Sequence, residues 1–322
     1  MLTRPLGPGA PRVSAIGYGG MPLSIHGRPS EAESIDVIHR VLDAGVTLID
    51  TADVYCLQHS EIGHNERLIA KALRTRSGSS DGVILATKGG LTRPGGPGSP
   101  LGHDARPEAL RAACDRSLRA LQVERIDLYQ LHAADARVPF ADSIGALTDL
   151  QRAGKIRWVG LSNVTVAHIQ AAQAIVPIVT VQNPLNPLAR QSLESGVVRY
   201  CAEQGIGFLA YRPVGGRAHG LLVAGLPVLR RVAQRLGVTP QAVALAWLLA
   251  QAPCVIPIPG ARTAAHALDS IGAAELTLDP ADVAAIGRAR SPLMGVYSTV
   301  RSTLSRIPGL RAAYQWMRGR LG

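Results

Sequence analysis

Four ionisable side chains follow separate apolar segments and could together perform acid–base chemistry. Asp50 and Tyr55 lie in DTADVY after the run VTLI, Lys88 ends GVILATK, and His132 ends IDLYQLH. A phenol with an ordinary pKa of about 10 exchanges a proton near neutral pH only with help, which a nearby ammonium gives by favouring the phenolate. We therefore expect Lys88 to lower the pKa of Tyr55, and Asp50 to keep Lys88 charged and in place. His132 could hydrogen-bond the oxygen of a carbonyl held beside Tyr55, a reaction that also needs a hydride source.

These side chains can meet only if their strands end on one face of the fold. A short β-type segment followed by a helical pattern recurs eight times between residues 13 and 275, which is typical of parallel strands joined by helices. Eight such units favour an α/β fold, a closed (β/α)8 TIM barrel, with its chemistry at the C-terminal strand ends. The doubly wound alternative is disfavoured because GYGGMP does not match G-x-G-x-x-G. The β-type segments are residues 13–20, 47–50, 82–88, 126–132, 155–163, 179–183, 207–211 and 254–260.

The helical patterns give further expectations about the chain between the strands. They predict helices over residues 61–75, 192–205 and 226–250, the last of them broken at Pro240. The glycine- and proline-rich segment 93–102, directly after Lys88, is a candidate lid over the substrate.

Composition limits the other classes of function. The net charge of +11 comes from basic residues that are almost all arginine, with only three lysines among 34, and no nucleic-acid-binding motif accompanies it. No apolar run is long enough to span a membrane, so we expect a cytoplasmic protein without integral membrane association. The four cysteines are spaced too widely for a Cys-x-x-Cys site and are expected to be reduced and structural. His59, Glu61 and His64 lie close together, but their spacing is not that of a helical zinc motif, and we expect no metal.

Several motifs in order resemble the aldo-keto reductases, over residues 13 to about 289. LIDTADVY, ATKGG and RIDLYQLH are similar to the segments that hold the catalytic residues of that family. The resemblance implies that Asp50, Tyr55, Lys88 and His132 are catalytic. It also implies that NADPH delivers hydride to a small aldehyde or ketone while Tyr55 protonates the oxygen.

The resemblance extends to the cofactor site. GKIRWVGLSN, VQNPLNP and AYRPVGG are similar to the segments that hold the nicotinamide, with Tyr211 matching the aromatic residue that stacks on its ring. IPGARTAAHALDS is similar to the segment that binds the 2′-phosphate and adenine of NADP, and a guanidinium beside a helix N-terminus suits a phosphate. The implied cofactor residues are Ser162, Asn163, Gln182, Tyr211, Arg212, Pro213, Gly260, Arg262, Thr263 and Asp269.

Three positions depart from the pattern of the family. Arg212 and Ser270 stand where a serine and an asparagine are frequent, and Cys56 replaces the usual glycine after Tyr55. Arg212 could strengthen the contact with the pyrophosphate, whereas Cys56 narrows the space beside the proton donor.

Two other functions compete with that of a reductase. An NADP-binding regulatory or sensor subunit could use the same barrel, and an intact set of catalytic residues does not decide between the two. A short-chain dehydrogenase needs Tyr-x-x-x-Lys, but the residue four after Tyr55 is His59.

The sequence divides into a barrel over residues 1–290 and a basic extension over residues 291–322. The last 32 residues contain five arginines and no acidic residue. We expect one of three uses for this extension: packing over the barrel mouth, an oligomer contact, or binding to an anionic membrane surface. The sequence leaves open whether the protein is a monomer or a homo-oligomer.

Overall fold

Eight parallel strands form a closed barrel at the centre of the protein. The structure is a computed structural model that describes residues 1–96 and 99–290, apart from the side chains of residues 217 and 218. Backbone N–H groups of Gly17 and Gly19 donate to the carbonyl oxygens of Pro257 and Pro259 at 2.9 and 3.0 Å, which joins the first strand to the last. The predicted (β/α)8 barrel is confirmed. The strands, β1 to β8, are Tyr18–Gly19, Leu48–Asp50, Ile84–Gly89, Ile126–Leu131, Ile156–Ser162, Ile178–Pro184, Gly207–Tyr211 and Val255–Pro257.

Helices follow the strands and surround the barrel. The first of them begins at Ser30 with a capping box, in which the Ser30 hydroxyl accepts the N–H of Glu33 and the Glu33 carboxylate accepts the N–H of Ser30. The helices are α1 Glu31–Asp43, α2 His64–Thr75, α3 Pro107–Leu121, α4 Phe140–Arg152, α5 Val166–Gln173, α6 Gln191–Glu194, α7 Val197–Glu203, α8 Gly216–Ala224, α9 Pro227–Leu236, α10 Pro240–Leu249, α11 Ala264–Gly272 and α12 Pro280–Arg288.

The predicted helical stretches are present but are divided differently. The break near Pro240 is confirmed, because Gly237 ends α9 in the left-handed region at φ 66° and the Thr239 side chain caps α10. Helix α8 precedes α9 and was not predicted. The stretch 192–205 divides into α6 and α7 at Gly196, whose φ is 79°. The helix predicted from residue 61 begins at His64, after a 3-10 turn.

An N-terminal hairpin closes the bottom of the barrel. Its strands, Thr3–Pro5 and Arg12–Ser14, pair antiparallel, so the prediction of one strand over residues 13–20 is wrong in its first half. Leu6 is fully buried, and its carbonyl oxygen lies so close to Gly207, the first residue of β7, that a Cβ there would stand only 2.0 Å away. The hairpin therefore packs against the N-terminal ends of the strands and leaves the opposite end for the site.

Because side chains alternate in direction along each strand, the strands place polar side chains above the apolar bottom of the barrel. Leu48, Ile84, Leu128 and Leu209 belong to one buried cluster that draws residues from β2 to β8, so they face the barrel interior. Side chains of a strand repeat their direction every second residue. Residues two or four positions further on therefore also point inward, at the C-terminal ends: Asp50, Lys88, Gln130 and Tyr211.

Some predictions concern features beyond this description. Within residues 1–96 and 99–290, no helix combines the length and apolarity that crossing a membrane requires. The basic extension 291–322 lies outside the described residues, so its three possible uses stay predictions. The cytoplasmic location and the absence of a nucleic-acid partner also stay predictions.

Candidate active site

Asp50, Tyr55 and Lys88 meet at the C-terminal end of the barrel, as the sequence predicts. The Lys88 ammonium donates to Asp50 Oδ2 at 2.6 Å, to the Thr51 carbonyl oxygen at 2.8 Å and to the Tyr55 hydroxyl at 3.2 Å. Lys88 is completely buried and Asp50 almost so. The three donor hydrogens of the ammonium thus each have an acceptor, which is the condition for keeping a buried charge.

The pKa of Tyr55 differs from the sequence-based expectation. Burial raises the pKa of the Tyr55 phenol, and the nearby Lys88 charge lowers it only in part, so the net direction is upward. Burial alone would lower the pKa of Lys88, but Asp50 and Tyr55 favour its charged form and raise the pKa overall. The prediction that Lys88 favours the phenolate is confirmed, but the prediction of a net lowering of the Tyr55 pKa is wrong. At neutral pH the group is a protonated phenol, the form that can donate.

His132 lies against Tyr55 and is neutral. The two rings meet edge to face with centroids 5.9 Å apart, and the backbone N–H of His132 donates to the Gly89 carbonyl oxygen at 2.8 Å. Burial, with the charges of Lys88 and His103, holds the pKa of His132 well below its usual value. Its buried Nδ1 has no hydrogen-bond partner among the residues described. A neutral imidazole in this position can donate a hydrogen bond to a substrate oxygen without carrying charge.

Two glutamines hold the other oxygen of Asp50. Gln182 Nε2 donates to Asp50 Oδ1 at 2.7 Å and Gln130 Nε2 donates to the same atom at 3.2 Å. Both glutamines are buried. The sequence reasoning identified Gln182 but missed Gln130. The alternation of inward positions in IDLYQLH, two residues after Leu128, could have found it.

The residues predicted to hold the nicotinamide all contact Asn163. Asn163 Nδ2 donates to the His132 carbonyl oxygen at 2.9 Å and to Ser162 Oγ at 3.1 Å, and the Tyr211 hydroxyl donates to Asn163 Oδ1 at 2.7 Å. The backbone N–H of Asn163 donates to the Gln182 carbonyl oxygen at 3.0 Å. Asn163 adopts φ 59°, a left-handed conformation that asparagine tolerates better than most residues. Ser162, Asn163, Gln182 and Tyr211 are therefore neighbours at the barrel mouth.

The turn after Tyr211 is held in an unusual conformation. Arg212 has φ 50°, and its carbonyl oxygen accepts a hydrogen bond from Asn186 Nδ2 at 3.0 Å. Its guanidinium carbon lies 5.8 Å from the centroid of the Tyr211 ring. Pro213 is buried. The Arg212 side chain is exposed and available to a charged ligand.

The segment predicted to bind the adenosine phosphate surrounds the start of α11. Thr263 caps this helix by accepting the N–H of His266. A Cβ on Gly260 would lie 2.7 Å from the Gly19 carbonyl oxygen, so only glycine fits. Arg262 donates from Nη2 to the His26 carbonyl oxygen at 2.8 Å and from Nε to that of Pro22 at 3.4 Å. These bonds fix the plane of the guanidinium and leave Nη1 for another acceptor.

Asp269 has a partner of its own. Asp269 Oδ2 accepts a hydrogen bond from the hydroxyl of Thr239, the residue that caps α10, at 2.7 Å. A role of Asp269 beside the adenine stays a prediction.

Glu61 and His64, which lie close to His59 in the sequence, contact other side chains of the protein. Glu61 pairs with Arg28 at 2.9 Å and His64 Nδ1 lies 2.9 Å from Ser24 Oγ. No cluster of three or more potential ligands for a metal ion occurs in the described parts of the chain. All four cysteines are free and buried, as predicted. Burial raises the pKa of the Cys56 thiol despite nearby Arg93.

Comparisons with known proteins show the family and the fold of the chain. The sequence profile described as the aldo/keto reductase family matches residues 15–290. An uncharacterized oxidoreductase of Schizosaccharomyces pombe is 35% identical over 271 residues, 83% of each chain. The glycerol dehydrogenase of Gluconobacter oxydans has the same fold with a TM-score of 0.77 and 26% identity, covering 90% of this chain and 98% of its own. An aldo/keto reductase of Klebsiella pneumoniae, in complex with NADP and acetate, has a TM-score of 0.74 and 24% identity, covering 89% and 95%.

Proposed function

Because the chain belongs to the aldo/keto reductase family, we propose that it is an NADP(H)-dependent oxidoreductase that reduces an aldehyde or ketone to the alcohol. The contact of the buried Lys88 ammonium with both Asp50 and the Tyr55 hydroxyl is the observation that carries this proposal. An ion pair with a purely structural role would not need a phenol as a third partner. An ammonium that assists a phenol as proton donor must contact that phenol, as Lys88 does.

The residues at the mouth fit NADP(H). Tyr211 offers a ring beside Ser162, Asn163 and Gln182, whose amide and hydroxyl groups suit a carboxamide. Arg262 lies at the N-terminus of α11, and two carbonyl oxygens fix the plane of its guanidinium. The free N–H groups at this helix terminus also favour a phosphate. We propose that these residues, with Arg212, Pro213, Gly260, Thr263 and Asp269, bind the cofactor. When bound, NADPH supplies the hydride.

The protein's own groups then supply the proton and the orientation. The Tyr55 hydroxyl donates its proton to the carbonyl oxygen as the carbonyl carbon receives the hydride, and the nearby Lys88 charge stabilises the phenolate that remains. Asp50 keeps Lys88 charged and in place. Neutral His132 donates a hydrogen bond to the same carbonyl oxygen and fixes its direction.

Consumption of NADPH by the purified protein tests this function. A panel of aromatic, aliphatic and sugar-like carbonyl compounds is offered with NADPH or NADH, and oxidation of the nucleotide is followed by its absorbance. We expect at least one carbonyl to be reduced, with NADPH preferred. Binding of NADPH without reduction of any compound would favour the regulatory or sensor alternative.

A further inference from the structure

Arg93 lies beside the loop that holds the proton donor, in a position to which the proposed reaction assigns no role. It follows the short strand Leu91–Thr92, which pairs with Gly102–His103 at the base of the candidate lid. Only 9% of the residue is exposed. Arg93 Nε donates to the carbonyl oxygen of Val54 at 3.2 Å. The guanidinium also lies near the Cys56 thiol and opposes the effect of burial on its pKa. Val54 and Cys56 flank Tyr55, so the cation borders the loop that presents the phenol.

No carboxylate side chain of the chain pairs with Arg93. Within the described residues, none of the ion pairs includes it. Residues 97–98 and 291–322, which the structure leaves undescribed, contain no Asp or Glu. Lys88, the other buried cation of this region, has Asp50 as its partner. A buried guanidinium without a counter-ion is unfavourable, so an anion from outside the chain would stabilise it.

The free part of the guanidinium suits an anion. The hydrogen bond to Val54 uses Nε only. Among the described residues, the structure shows no hydrogen bond from Nη1 or Nη2 to an oxygen atom, and 9% of the residue remains exposed. Two adjacent N–H groups of one guanidinium match a carboxylate or a phosphate in a bidentate arrangement.

We propose that Arg93 binds an anionic group of the substrate, so that the enzyme prefers small aldehydes or ketones that carry a carboxylate or a phosphate. This inference rests on the proposed function. The carbonyl is held at Tyr55 and His132 while the anionic group is held at Arg93. The reaction itself is unchanged: the carbonyl carbon gains the hydride, the oxygen gains the proton of Tyr55, and the anionic group takes no part in bond making.

Matched substrates separate charge from size. The first pair is 4-carboxybenzaldehyde and its methyl ester, and the second is glyceraldehyde 3-phosphate and glyceraldehyde. We expect kcat/KM to favour the anionic member of at least one pair by about 10-fold or more, since a charge-assisted hydrogen bond contributes about 1.5–3 kcal/mol. In Arg93→Gln the ratio should fall toward one, mainly through KM, whereas Arg93→Lys should keep part of it. The pair that shows the preference identifies carboxylate or phosphate.

Arg199→Gln is the matched control, because Arg199 is an exposed arginine, with 81% of its side chain accessible, on the outer helix α7. Equal kcat/KM within both pairs for the unsubstituted enzyme would overturn the proposal, and so would an anion preference that survives in Arg93→Gln. If no carbonyl is reduced, the proposed function fails separately. Calorimetric titration of the NADP complex with 4-carboxybenzyl alcohol and its methyl ester then tests the subsite. Binding of the acid that is lost in Arg93→Gln supports it, and equal binding of acid and ester contradicts it.

Discussion

Gln182 Nε2 lies 2.7 Å from Oδ1 of Asp50, while Lys88 occupies Oδ2 of the same carboxylate. The amide nitrogen of Gln182 is therefore committed to Asp50, and only its oxygen can face a carboxamide. One buried carboxylate thus connects the proposed nicotinamide site to the ammonium that contacts Tyr55. The proton donor and the cofactor site share a single hydrogen-bonded network.

Gln130 should contribute to catalysis through Asp50. Gln130→Leu removes one of the two donors to Oδ1, so the carboxylate and the Lys88 ammonium lose a fixed position. A hydrogen bond to a charged group contributes about 1.5–3 kcal/mol, so we expect kcat to fall by about 10-fold. The dissociation constant of NADPH, measured by fluorescence, should change less than kcat because Gln130 is not among the residues proposed to bind the cofactor. A kcat equal to that of Gln170→Leu, an exposed control on α5, would contradict this role.

The Asp50–Lys88 pair should show strong coupling in stability. Lys88→Met leaves a buried Asp50 carboxylate without its counter-ion, and removing one partner of a buried pair typically costs about 3–5 kcal/mol. The double variant Asp50→Asn/Lys88→Met carries no buried charge here and should recover much of that loss. Denaturant unfolding measures the free energy of unfolding of Asp50→Asn, of Lys88→Met and of the double variant. If the loss of stability in the double variant equals the sum of the losses in the two single variants, the pair is not coupled as described.

Asp53 should make stability depend on pH. Burial, together with the nearby Glu66 carboxylate, raises the pKa of Asp53 to about 8, and Arg116 offsets this in part. A carboxyl that binds its proton more tightly when folded loses stability as pH rises between its unfolded and folded pKa values, here from 3.8 to about 8. The contribution of Asp53 is thus fully favourable below this range and is lost above it.

Asp53→Asn should remove this dependence. We expect the melting temperature of the variant to exceed that of the unsubstituted protein at pH about 8.5, and the advantage to shrink at pH about 5, where Asp53 is protonated. Asp81→Asn, at an exposed position, is the control for loss of a carboxylate. An advantage of Asp53→Asn that does not change between the two pH values would contradict the raised pKa.

The sequence predicts most of the barrel because its strands and their end residues follow a regular spacing. Asp50 and Tyr211 end their strands as expected, and Lys88 lies one residue before the end of β3. Helix α8 was missed because two consecutive glycines, Gly215 and Gly216, indicate a loop. In the structure both glycines have a positive φ, and the helix begins at Gly216. The net pKa of Tyr55 depends on how deeply the phenol is buried, which spacing alone does not give. The bonds of Arg262 to the 22–26 loop likewise join residues about 240 positions apart.

Hydride transfer in Tyr55→Phe tests the central claim most directly. The variant keeps the ring against His132 but removes the proton donor, and Tyr200→Phe, which loses only a hydroxyl bonded to Gln173 at 2.8 Å, is the matched control. In a single turnover with bound NADPH, we predict that Tyr55→Phe slows reduction by about 10² to 10⁴ while NADPH affinity is retained. Tyr200→Phe should reduce at the normal rate. A Tyr55→Phe enzyme that transfers hydride at a rate close to that of Tyr200→Phe would show that Tyr55 is not the proton donor.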